Sequence, residues 1–147
     1  MKRTAITISV LCALLVLGIA PALLADEPCS LRSVAGDWGY TVTGVRNPFG
    51  PAASVGMVSF DRDGNITGTQ TLSINGFIVQ GEILTGTMTV DSSCKGMVVI
   101  NVSNTPFPRT AHLDVVWVNS SSEFRAIFAD PNLVLTVDGK RINHGND

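Results

Sequence analysis

From residue 65 to residue 74 the chain alternates without a break. Ile66, Gly68, Gln70, Leu72 and Ile74 fall on one parity, and Thr67, Thr69, Thr71 and Ser73 on the other. Successive side chains of a strand point to opposite faces, so this segment has one mainly apolar face and one lined by hydroxyls. A helix of 3.6 residues per turn would mix the two sets. The apolar face must be buried against other strands, because one strand pair is marginal in water. The same texture fills the rest of the chain. Runs rich in Val, Ile and Thr are cut by Gly, Asn, Asp and Pro at intervals of about ten residues, the pattern of an all-β domain.

The alternation predicts eight strands, over residues 38–45, 54–61, 65–74, 77–90, 96–103, 110–118, 123–129 and 133–141. Residues 46–53 hold Pro48, Gly50 and Pro51 and read as a loop, since proline gives a strand interior no N–H. Asp61 to Asn65 reads as a tight turn and Asn75-Gly76 as a two-residue hairpin. The segment 77–90 contradicts itself. Phe77, Val79 and Ile83 share one parity, while Leu84, Met88 and Val90 share the other. A pleat cannot change face without an interruption, so a bulge or sharp bend is expected over 81–86, or else two separate strands. Glu82, Asp114 and Glu123 then fall on outer faces. Eight strands joined by short turns, with no helix to cover them, favour closure on themselves. The expected fold is an eight-stranded antiparallel up-and-down barrel; a β-sandwich is the alternative.

Residues 1–25 begin with Lys2 and Arg3, continue as an apolar run, and offer small residues for cleavage at Ala20-Pro21-Ala22 and at Ala25. This is the pattern of a secretory signal peptide, with a membrane anchor as the alternative. The expected organisation is a leader over 1–25, one barrel domain over 26–142 and a polar tail over 143–147. The expected location is secreted or periplasmic, with no stable membrane anchor once the leader is gone. Of the three cysteines, Cys12 lies in the leader. Cys29 and Cys94 remain, and in an oxidising compartment they suggest one disulfide; two free thiols are the alternative. With 10 basic and 12 acidic residues and no basic patch, nucleic acid is not an expected partner.

Gly36-x-Trp38, after a short non-strand lead-in and at the head of the first strand, resembles the G-x-W element of the lipocalins and the wider calycin group. The resemblance implies that Trp38 plugs the closed end of the barrel. It also implies that a basic residue of the last strand, Arg141 or Lys140, packs across it with a cation–π contact of about 1 kcal/mol. Taken as an ordinary core aromatic, Trp38 has the same surroundings; a ligand-stacking role is the alternative. The wider pattern resembles small secreted bacterial proteins. It comprises Cys29-x-Leu31, Gly36 to Tyr40, Gly56 to Asp61, Gly64 to Gly68, and Leu84 to Val90 with Cys94. That likeness implies no catalytic residues.

Residue chemistry adds little. His112 and Asp114 share an outer face at i, i+2, too few ligands for a metal. Asp61, Asp63 and Asn65 echo a calcium loop, but Gly64 comes too early and Leu72 stands where a bidentate Glu is needed. No G-x-S-x-G element occurs. No catalytic residue, metal or cofactor is expected. Predicted inward parity gives Trp38, Tyr40, Met57, Gln70, Met88, Trp117, Phe124 and Phe128 as residues lining a ligand site. Gln70 bonds either a ligand or Ser59 and nearby backbone. Gly68 and Gly86, on inner faces, leave room. The expected function is a secreted, non-enzymatic barrel that binds a small apolar molecule. The alternatives are a filled barrel acting as a structural or protein-interaction domain, and an enzyme of the allene-oxide-cyclase-like barrel kind.

Overall fold

The alternation read from the sequence becomes eight strands. The computed structural model describes residues 29–143; the expected leader over 1–25 and residues 144–147 of the expected tail lie outside the described residues. A single helical turn, α1 (Leu31–Val34), comes first. Ser30 and Ser33 close a reciprocal capping box on it. The strands are β1 (Gly36–Arg46), β2 (Gly50–Phe60), β3 (Asn65–Ile74), β4 (Phe77–Met88), β5 (Lys95–Ser103), β6 (Arg109–Val118), β7 (Glu123–Phe128) and β8 (Leu133–Arg141). Each pairs antiparallel with the next, and β8 returns to pair with β1, so the sheet is a closed barrel. Closure leaves no strand edge exposed. The sandwich alternative is excluded.

Inward positions carry Trp38, Val42, Val58, Ile66, Leu84, Val98, Leu113, Trp117 and Val137, all buried. Outward positions of β3 carry Thr67, Thr69 and Thr71.

Three expectations about strands are corrected. The loop expected over 46–53 shrinks to a turn over 47–49: β1 continues through Arg46, β2 begins at Gly50, and Pro51 pairs with Val45. Pro51 is tolerated because it sits at the strand's start, and its carbonyl accepts from Asn75 N–H at 2.8 Å. Met57 does not line the lumen. The inward residues of β2 are Ala52, Ser54, Gly56, Val58 and Phe60, so Met57 lies on the outward parity and is 51% exposed. Glu82 is not on the outer face but fully buried. The cause is the bulge, which lies one step earlier than the sequence suggested. Gln70 pairs with Glu82 but Leu72 pairs with Val79, so Gln80 and Gly81 together face Thr71. The extra residue turns Glu82 inward, and Gly81 accommodates it at φ +69°.

Glycines at inward positions let large side chains of neighbouring strands lie across the lumen. One lateral row reads Trp117, Phe124, Gly139, Tyr40, Gly56, Gln70, Glu82 across seven strands. A Cβ on Gly139 would collide with the Phe124 ring. Gly139→Ala is therefore expected to lower stability by about 1–3 kcal/mol, read as a shift in the urea midpoint at unchanged slope. Gly68 and Gly86 do not widen the lumen as expected. A Cβ at either would strike the neighbouring strand's backbone, at Met57 O and Val99 O, so these glycines permit close strand approach.

Cys29 and Cys94 form a disulfide, with Cα atoms 5.0 Å apart and 65 positions between them in sequence. It ties Cys29, two residues before α1, to the turn between β4 and β5, holding α1 over one end of the barrel. In the chain-entropy account such a loop stabilises by at most about 4 kcal/mol.

Candidate functional site

The two ends of the barrel differ. At the α1 end, Trp38 is fully buried, 5.3 Å from Phe124 and 5.8 Å from Phe60 between ring centroids. Its Nε1 donates to Val34 O at 3.0 Å, which anchors α1 to the plug. Arg141 Cζ lies 4.6 Å from the Trp38 ring centroid. The same guanidinium donates to Ser33 O, Ala35 O and Ser121 O. Carbonyls freed at the end of the helical turn thus find a cation. Burial lowers the Arg141 pKa from its ordinary value. Gly36 precedes the plug at φ +133°, and a Cβ there would lie 2.7 Å from Arg141 Nη1. The glycine of Gly36-x-Trp38 thus meets a positive φ that L side chains rarely adopt, beside the arginine that crosses the plug.

The other end is open, and a cavity of about 340 Å³ runs into the lumen from it. Its wall is built from inward aliphatic residues of β2 to β8, among them Leu72, Leu84, Leu113, Val115, Leu135 and Val137, with Phe60, Trp117 and Phe124 toward the closed end. Arg46, Asn47, Phe49, Asp130 and Asn132 stand at the mouth. Phe49, Phe77 and Phe107 are exposed near this end, at 52%, 54% and 39%. Phe77 and Phe107 meet edge to face at 5.8 Å, and Arg46 lies over Phe49 at 5.3 Å.

One side of the wall is polar. Tyr40 Oη donates to Gln70 Oε1 at 2.8 Å, and Gln70 Nε2 donates to Glu82 Oε2 at 2.6 Å. Arg109 clasps Glu82 with two N–H groups, each at 2.9 Å, and Thr105 Oγ1 donates to Glu82 Oε1 at 2.6 Å. Gly56 makes the first link possible: a Cβ there would sit 2.8 Å from both Tyr40 Oη and Gln70 Cβ. Burial works to raise the Glu82 pKa, but the hydrogen bonds from Arg109, Thr105 and Gln70 and the charge of Arg109 outweigh it and hold the carboxyl below its ordinary value. Burial, with the Glu82 charge, pushes the Tyr40 phenol well up, so it stays a donor. Burial and the neighbouring Arg109 lower the Arg46 pKa. These polar groups satisfy one another. A carboxylate held by a two-pronged arginine and two further donors has its lone pairs occupied, which suits it to shape the wall rather than to move protons.

The residues expected to line a ligand site separate into groups. Tyr40, Gln70, Trp117, Phe124 and Phe128 stand on the cavity wall. Trp38 and Met88 are buried, but neither is part of that wall. Met57 faces outward. Gln70 does not bond Ser59, which faces outward and donates to Asp37. His112 pairs with Asp130 across 2.8 Å rather than with Asp114, on the outer surface. Asp61 closes its own turn by accepting from the N–H groups of Asp63 and Asn65 and from the Asn65 amide. Among the described residues there is no cluster of metal-ligating side chains. Sequence reasoning missed the aliphatic wall residues named above and, of the polar and rim residues, Glu82, Arg109, Thr105, Arg46 and Phe49. Compared with known protein families, curated proteins and solved structures, the chain matches none.

Proposed function

We propose that the protein is a secreted or periplasmic, non-enzymatic barrel that holds one small apolar molecule in its lumen. The observation that carries this reading is the cavity of about 340 Å³, apolar along most of its wall and open at one end. That volume lies within the range of roughly 300–1,000 Å³ usual for small-molecule sites. A filled barrel would have closed this space with larger side chains; here Ala52, Ala111 and Ala126 stand on its wall. The exposed phenylalanines near the mouth support the reading, because they give an apolar solute a surface on which to leave water. The disulfide fits an extracellular or periplasmic compartment, and the leader pattern supports export. The enzyme alternative is disfavoured by the internal pairing of Glu82.

The test is titration with N-phenyl-1-naphthylamine, a neutral apolar fluorophore, followed by its displacement with fatty acids and retinoids. A saturable one-site rise in emission is expected. Ala126→Phe, which places a ring in the cavity, is expected to weaken binding about tenfold or more, equal to about 1.4 kcal/mol. No saturable signal with any of these compounds would favour the filled barrel instead.

A further inference from the structure

Tyr40, Gln70, Glu82 and Arg109 of the wall are paired with one another, but one buried donor of the wall is not. Trp117 stands on the cavity wall toward the closed end and is 3% exposed. Its Nε1 is fully buried and has no hydrogen-bond partner. The contrast with the other tryptophan is direct, since Trp38 Nε1 donates to Val34 O. A buried indole N–H without an acceptor is unfavourable, and indoles placed in cores normally find one. The surroundings supply none. Trp117 lies opposite Phe124 in the strand register, and a Cβ added to Gly96 would meet its Cζ3 at 2.9 Å. The Tyr40–Gln70–Glu82 chain lies in the same lateral row but makes no bond to this nitrogen.

We propose that the missing acceptor belongs to the ligand: an apolar molecule that carries a carbonyl or ether oxygen on the part seated deepest in the barrel, which parts the side chains now sealing Trp117 Nε1 and accepts from its N–H. This rests on the cavity reading above and narrows it, from any apolar solute to one with a buried acceptor at its leading end. Selectivity follows from geometry. A hydrocarbon of the same shape leaves the indole donor unpaired, whereas a ketone pairs it. A site that presents a buried donor discriminates in this way against analogues lacking the acceptor.

The experiment uses the whole mature protein and two probes of matched shape, cyclooctanone and cyclooctane. The chain has two tryptophans, so a ¹⁵N–¹H spectrum carries two indole signals. The Trp38 signal, already bonded to Val34 O, is the internal reference. Cyclooctanone is expected to move the Trp117 indole proton downfield and leave Trp38 in place, while cyclooctane moves neither downfield. Trp117→Phe is expected to lower the ratio of ketone to hydrocarbon affinity about tenfold. If both probes bind, yet the Trp117 indole proton responds to them alike, the inference is overturned and the apolar cup stands. The same holds if that proton already resonates downfield in the free protein, bonded to trapped water, and does not change. If neither probe binds, the cup reading and this inference fall together. The spectrum of the unsubstituted protein decides the matter even where Trp117→Phe folds poorly.

Discussion

Arg109→Met is expected to lower stability by about 3–5 kcal/mol near neutral pH, because it strands a fully buried carboxylate. Arg109 supplies both prongs on Glu82, and Gln70 and Thr105 cannot neutralise the charge they would still solvate. Most of that loss is expected to be recovered in the double variant Glu82→Gln/Arg109→Met, whose amide removes the charge while its oxygen still accepts. The pH dependence separates this mechanism from simple loss of packing. In the unsubstituted protein the folded Glu82 pKa lies below its ordinary value. Its contribution is therefore complete above the unfolded pKa of about 4.3, and is lost as pH falls through the folded pKa. In Arg109→Met burial dominates and raises the folded pKa, so the sign reverses and the variant gains stability as the carboxyl protonates. The gap between the two proteins therefore begins to narrow above the unfolded pKa of about 4.3, as the variant's carboxyl protonates, and narrows further below it as the unsubstituted protein's carboxyl protonates. Urea unfolding from pH 3 to pH 7 checks this. A gap that stays constant across the series would mean that Arg109 acts through packing alone.

Much of the fold could be read from the sequence because period-two alternation constrains it directly. The run from Ile66 to Ile74 fixes an inward face whatever surrounds it, and the short turns leave each strand little choice of neighbour. The site was less legible, and the reasons are local. Arg46 and Arg109 both occupy inward parity. Arg46 continues Trp38, Tyr40, Val42 and Gly44, and Arg109 precedes Ala111, Leu113 and Val115. Each lies one residue beyond the predicted strand end, where a charged residue next to a proline-containing stretch reads as loop. Glu82 was hidden by the position of the bulge. The clash of parity between Val79 and Leu84 announces an interruption but does not locate it; at Gln80-Gly81 it turns Glu82 inward, and any later position leaves it outside. Gly81 was the available signal, as the one residue there that adopts positive φ without strain. Met57 failed for the opposite reason. The predicted parity of β2 turns it inward, but Tyr40 pairing with Gly56 places it outside. The unpaired indole of Trp117 leaves no trace in sequence, since it depends on what every neighbouring side chain does with its own acceptors.

Trp38→Ala is expected to match or exceed the loss caused by Arg109→Met, at about 3–5 kcal/mol from the missing aromatic volume. Trp38 joins three parts of the closed end that have no other common partner. Its ring packs on Phe60 and Phe124, its Nε1 holds the last carbonyl of α1, and its face receives Arg141. Removing it leaves a cavity beneath Arg141 and takes from α1 its bond at Val34 O, leaving the disulfide, the arginine's own bonds and the packing of Leu31 and Val34. For a domain of this size the change corresponds to a fall in Tm of roughly 10–20 °C. Arg141→Met removes the cation–π contact and the helix-end bonds while keeping the aromatic core, so a smaller loss is expected. If Arg141→Met were as harmful as Trp38→Ala, the guanidinium rather than the ring would be what seals the barrel. Ligand binding in Trp38→Ala, at a temperature where it remains folded, completes the argument. Trp38 is not part of the cavity wall, whereas Trp117 is. Affinity for N-phenyl-1-naphthylamine is therefore expected to survive the loss of the plug, and its disappearance from a folded variant would place the ligand against Trp38 instead.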